Sequence, residues 1–93
     1  MEGIKEFIIR KLVNNNVWGG KHIPIDFITK SLPEHFRNTH KGQRLIEKTM
    51  KELVNDGLIF VIDKRTGKGS NKHISLNPRK VADIKQYLFK ALF

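Results

Sequence analysis

The sequence predicts a small α+β domain: a three-helix core, then a β-hairpin, then a C-terminal helix. Three observations carry this. Apolar residues recur at helical spacing in 2–14, 24–32 and 41–56. The run Leu58-Ile59-Phe60-Val61-Ile62 is β-branched and aromatic, and the alternating His73-Ile74-Ser75-Leu76 answers it across a stretch of turn formers. Asn77-Pro78 then opens another amphipathic stretch. The 93 residues suit one domain, 1–93, with a small core. A chain of this size hides only about 60–65% of the surface it would expose when unfolded.

The first helix covers 2–14. Ile4, Phe7, Ile8, Lys11 and Leu12 fall at helical spacing, with Lys5, Glu6 and Arg10 on the other side. Asn14-Asn15-Asn16 ends it, because Asn tolerates the left-handed conformation of a helix C-terminus. Trp18-Gly19-Gly20 is a turn, with Trp18 as a lid on the core. Lys21-His22-Ile23 has room only for a brief extended segment. Pro24 suits the first turn of a second helix, whose stripe is Ile25, Phe27, Ile28 and Leu32. Ser31-Leu32-Pro33-Glu34 matches a capping box and starts a short turn through Phe36.

Asn38, Thr39 and Gly42 mark a break before the third helix, at about 41–56, whose buried stripe is Leu45, Ile46, Met50, Leu53 and Val54. Gly57 follows where a left-handed C′ glycine belongs, and Leu58 packs back on the helix as C″. A hairpin spans about 58–76, its strands joined by a long basic loop, Arg65 to Asn71. In the last helix, about 78–93, Val81, Ile84, Leu88 and Leu92 line one face, widened by Phe89 and Phe93.

Charge is the second theme. Eighteen Lys+Arg stand against nine Asp+Glu, a formal charge of +9. Such a surplus points to a polyanion, nucleic acid or an anionic membrane. The excess is uneven. Residues 57–77 hold Lys64, Arg65, Lys68 and Lys72 against Asp63 alone. Arg37, Lys41, Arg44, Lys48 and Lys51 form a second group, broken only by Glu47. A membrane-surface role fits less well, since the cations gather in a loop and beside an ordinary core helix.

Other classes fall away. There is no cysteine, so no disulfide, thiolate metal site or Cys nucleophile. No apolar run reaches membrane-span length, and Glu2, Lys5, Glu6, Arg10 and Lys11 interrupt any signal-peptide core, so a cytoplasmic, non-secreted chain is expected. Eleven isoleucines and 39% hydrophobic residues argue against disorder. Gly67-Lys68-Gly69-Ser70 hints at a phosphate loop, but Ile62 stands where a Walker loop needs its first glycine, and a strand follows instead of a helix. His22, His35, His40 and His73 match no metal-ligand spacing on one helix. Ser31, Ser70 and Ser75 sit in no nucleophile motif, and Asp26, Asp63 and Asp83 form no evident carboxylate pair. Neither an enzyme nor a cofactor or small-molecule site is expected.

The stretch EKTMKELVNDGLIFVIDKRTGKGSNKHISLN, Glu47 to Asn77, resembles the recognition helix, glycine break and wing of winged helix-turn-helix regulators of the MarR and PadR kind. The chain is also similar in size and layout to small basic winged-helix proteins of archaea and their viruses. It departs from them at residues 33–40, a longer link than the usual tight turn. The resemblance implies a sequence-specific duplex-DNA-binding protein, a small transcriptional regulator whose third helix enters the major groove. His40, Lys41, Gln43, Arg44, Lys48 and Lys51 then face the DNA. Arg44 suits guanine and Gln43 suits adenine. Glu47 suits cytosine or, more simply, an i+4 pair with Lys51. In the wing, Lys64, Arg65, Lys68, Asn71 and Lys72 contact backbone or an adjacent minor groove, with Gly67 and Gly69 allowing close approach. An RNA-binding winged helix and a protein-docking module within a larger nucleic-acid machine are the rival readings. The apolar residues of the terminal helices exceed what one small core needs, which leads to an expected homodimer through those helices.

Overall fold

A computed structural model describes residues 2–66 and 69–91. Helix α1 is Glu2–Asn14, and its end is a Schellman motif. The Val17 N–H donates to the Leu12 carbonyl and the Asn16 N–H to the Val13 carbonyl, both at 3.0 Å. Asn16 takes the left-handed conformation, φ +56°, that the motif requires. The chain then runs beside the end of strand β3, Gly69–Leu76: the Leu76 N–H donates to the Val17 carbonyl and the Gly19 N–H to the Leu76 carbonyl. Trp18 is thereby held half-buried against the core.

Strand β1 is only Ile23–Pro24, and helix α2 is Ile25–Thr29. Pro24 is the N-cap of α2 and not its first helical residue, because it is already committed to pairing with β3 opposite His73. Ile28 is buried, but Phe27 is exposed, with the Lys11 ammonium 5.8 Å from its ring centroid. The expected capping box does not form. Helix α3, Glu34–Arg37, starts after Pro33 with no side-chain cap. Leu32 precedes a proline, which disfavours the helical conformation that a Ser31 cap would demand of it.

Helix α4 is His40–Asn55, capped by the Thr39 hydroxyl, which accepts from the Gly42 N–H at 3.0 Å. Gly42 therefore lies inside the helix instead of breaking the chain before it. Its role is close approach: a Cβ there would stand 2.3 Å from the Phe36 carbonyl oxygen and 2.6 Å from its Cα. Ile46, Met50 and Leu53 are buried as expected, but Val54 is exposed. The end is again a Schellman motif, with Gly57 at φ +74°, Gly57 N–H to the Val54 carbonyl and Leu58 N–H to the Leu53 carbonyl.

Strands β2, Ile59–Thr66, and β3 pair antiparallel, and the three-stranded sheet has the order β1-β3-β2. The ladder runs from Ile59 opposite Leu76 outward to Thr66 opposite Gly69. The expected long loop over residues 65–71 is thus a correction: Arg65, Thr66, Gly69, Ser70 and Asn71 continue the ladder, and Gly67 and Lys68 lie outside the described residues. Register set at the buried end carries the weak strand formers Gly69, Ser70 and Asn71 outward. Only Ile59 of the β2 apolar run is fully buried, while Phe60, Val61 and Ile62 are exposed.

Asn77 joins the end of α4 to the last helix. Its side-chain oxygen accepts from the Arg79 N–H at 3.0 Å and its amide donates to the Gly57 carbonyl at 2.8 Å. A 3₁₀ turn, Pro78–Lys80, leads into α5, Val81–Ala91. One core gathers Ile4, Ile8, Ile9 and Leu12 of α1 with Ile28, Leu53, Ile59, Ile74, Leu76 and Ile84. Among the described residues, no helix is long and apolar enough to cross a membrane.

Candidate nucleic-acid interface

The exposed side of α4 carries Lys41, Arg44, Lys48 and Lys51, all solvent-facing. Their spacing of three, four and three residues places them within an arc of roughly 80° along the helix. Like charges three or four residues apart repel by roughly 0.2–0.5 kcal/mol per pair, and Glu47, beside Arg44 and Lys51, and Glu52, one turn after Lys48, offset a comparable amount through space. The ion pairs among the described residues are Lys5–Asp56, Glu6–Arg10 and Lys80–Asp83, none of them on the stripe. The expected Glu47–Lys51 pair is absent. An exposed i,i+4 pair stabilises by only a few tenths of a kcal/mol, too little to hold two long side chains together.

Beside this stripe lies an open groove of about 620 Å³ between α4 and the hairpin. Ile25, Ile46, Met50, Val54 and Val61 give it an apolar lining. Lys51 and Glu47 enter from the helix and Lys72 from β3, so cations from both basic segments, distant in sequence, share one depression with a single carboxylate. The exposure of Val54 and Val61 has this groove as its reason.

At the N-terminal end of α4, Gln43 is less free than expected for an adenine reader. Its amide nitrogen donates to the Arg37 carbonyl at 3.0 Å, tying α4 to the end of α3. A bidentate contact to adenine requires that bond to be released. The first turn of α4 carries no acidic residue, so the positive end of the helix dipole adds to Lys41 and Arg44. Arg37 is half-buried nearby, and its Nε has no hydrogen-bond partner among the described residues. His40 is exposed at the first helical position.

On the hairpin, Lys72 pairs in register with Asp63, Lys64 with Asn71 and Arg65 with Ser70. Lys64, Arg65 and Asn71 are placed by their backbone alone. Lys68 lies outside the described residues, as do Leu92 and Phe93 of the expected last helix.

Sequence reasoning missed two features that depend on long-range pairing. One is the groove. The other is His22 and His73, whose Nδ1 atoms approach to 2.9 Å although 51 residues separate them. No motif spacing could signal either one, since the β1–β3 and α4–hairpin contacts create them. Among the described residues, no group of three or more His, Asp or Glu is placed to hold a metal ion.

The apolar surplus behind the expected homodimer is mostly consumed within the chain. Ile4, Ile8, Ile9 and Leu12 of α1 are buried and Phe7 is packed against the core. On α5, Ile84 is buried, Tyr87 and Leu88 are partly so, and Phe89 stands 60% exposed.

In comparisons with known proteins, no family model, curated protein or solved structure matches the chain.

Proposed function

We propose that the chain binds duplex DNA as a winged helix-turn-helix protein and acts as a small transcriptional regulator. In this reading α4 enters the major groove, and the β2–β3 hairpin is the wing on adjacent backbone or minor groove. The α+β architecture is compatible with it. The observation that carries it is the solvent-facing stripe Lys41-Arg44-Lys48-Lys51, joined across one groove by Lys72 of the hairpin. A helix of 16 residues is about 24 Å long and about 10–12 Å wide with its side chains, which suits a major groove about 12 Å across. Arg44 lies mid-stripe and is the guanine reader. Lys41, Lys48, Lys51 and Lys72 neutralise phosphates and position the helix. Phosphates supply the negative charge that these cations meet, with release of counterions.

The test is competition between duplex DNA and folded RNA at equal salt, followed by selection of bound sites from random duplexes. Preference for duplex DNA and a recovered motif that relaxes in Arg44→Ala support the reading. Preference for RNA moves the interface to RNA. Failure to bind either at physiological salt overturns nucleic-acid recognition in favour of protein docking.

A further inference from the structure

We infer that His22 and His73 form a binding site for a late first-row divalent metal ion where β1 meets β3. The two Nδ1 atoms converge to 2.9 Å, with ring centroids 4.8 Å apart and ring planes at 78°. Two neutral imidazoles share a hydrogen bond there only if one ring carries its proton on Nδ1 and the other on Nε2. One metal ion can take both Nδ1 lone pairs. With metal–nitrogen bonds of about 2.0–2.1 Å, neighbouring ligands at 90–109° lie about 2.9–3.4 Å apart. The observed separation falls at the edge of that range, so the spacing of the two nitrogens needs no large change. Coordination consumes no net proton from the neutral pair: the donating ring gives up its Nδ1 proton and regains one on Nε2 through solvent.

The fold fixes the juxtaposition. Ile23 pairs with Ile74 and Pro24 with His73, so His22 falls across from Ser75, two residues from His73 on the same side of β3. Ser75 is fully buried and its hydroxyl has no hydrogen-bond partner among the described residues. Imidazole donors without thiolate favour Cu²⁺, Ni²⁺ and Zn²⁺ over Mg²⁺ or Ca²⁺. Two protein ligands leave the remaining positions to water, which makes the site open and weaker than a four-ligand structural centre. Its effect is mechanical. Strand β1 has two residues, and Pro24 donates no backbone hydrogen bond, so the junction is thinly held. An ion on both rings pins β1, and with it the start of α2, to the sheet.

The full chain is titrated near neutral pH with Zn²⁺ alone and with Cu²⁺ alone. The expected result is one ion per chain, Cu²⁺ binding tighter than Zn²⁺, and a Cu²⁺ paramagnetic resonance spectrum with two nitrogen ligands. Zn²⁺ is expected to raise the unfolding temperature by several degrees. His22→Ala is expected to weaken binding at least about tenfold and abolish the thermal shift, and His73→Gln to do the same. His40→Ala, on α4, is expected to keep both. His22 precedes β1 outside any strand or helix, so its variant stays informative even where His73→Gln unfolds. Absence of binding at millimolar Zn²⁺ and Cu²⁺ overturns the proposal. So does unchanged affinity in His22→Ala, a one-nitrogen copper spectrum, or loss of the site in His40→Ala. None of these readouts depends on nucleic-acid binding.

Discussion

Replacing Gly42 by Ala tests the packing that positions the N-terminal end of α4. An added Cβ would stand 2.3 Å from the Phe36 carbonyl oxygen, 2.6 Å from its Cα and 2.8 Å from its carbonyl carbon. Ordinary contact needs more than about 3.4 Å, so two backbones must separate by roughly 1 Å. No side chain can give way, because the obstacle is α3 itself. Overpacking of this kind costs about 3 kcal/mol, the upper end of its usual range. Alanine recovers at most about 1 kcal/mol in helix propensity. The net loss is about 2 kcal/mol, a fall of roughly 8–16 °C in unfolding temperature for a domain this small. Thermal unfolding followed by far-UV circular dichroism reads it directly. Gly3→Ala is the control: it lies in α1 with nothing within 4 Å of the added Cβ, and a gain of up to about 1 kcal/mol is expected. A neutral or stabilising Gly42→Ala would refute the close approach of α3 and α4.

Three further outcomes are expected. Asn77→Ser keeps an acceptor for the Arg79 N–H but is too short to reach the Gly57 carbonyl, so it loses about 1 kcal/mol, and Asn77→Ala about 2 kcal/mol, in urea unfolding. Equal losses would mean that the cap contributes nothing. Lys48→Gln removes two like-charge contacts, with Arg44 and Lys51, and one favourable i,i+4 relation to Glu52, so it changes the stability of the free protein by no more than about 0.5 kcal/mol while weakening duplex binding; a loss of stability above about 1 kcal/mol would show that Lys48 has a stabilising partner within the chain. Phe89→Asp is expected to convert any two-chain assembly formed through α5 to single chains in light scattering, and a dimer that survives it uses another surface.

What the sequence made legible was local. Gly57 as C′ with Leu58 folding back, and Asn77-Pro78 as a helix start, are signals complete within a few residues, and both stand in the structure. The stripe on α4 was legible for the same reason, since helical periodicity alone decides which side chains share a face. Failures came where a second constraint overrode the local one. Ser31 and Glu34 have capping-box spacing, but Pro33 forbids the backbone it needs. Gly42 reads as a breaker until α3 is seen against it. Gly69, Ser70 and Asn71 read as loop, yet pairing from Ile59–Leu76 outward sets their conformation. The Lys51–Lys72 groove and the His22–His73 pair exist only through tertiary contact, beyond the reach of any periodicity.

The salt dependence of duplex-DNA binding tests the central claim most directly. Arg44, Lys41, Lys48, Lys51 and Lys72 are solvent-facing cations on α4 and the hairpin. If they and their neighbours neutralise about four to six phosphates, log K falls with log salt at a slope of roughly −4 to −5 per chain. Changing Lys51 and Lys72 together to Ala should make that slope shallower by about 2 on every duplex sequence alike. A slope near zero, or a slope the double change leaves untouched, would contradict the assignment of α4 and the hairpin as a DNA-binding surface.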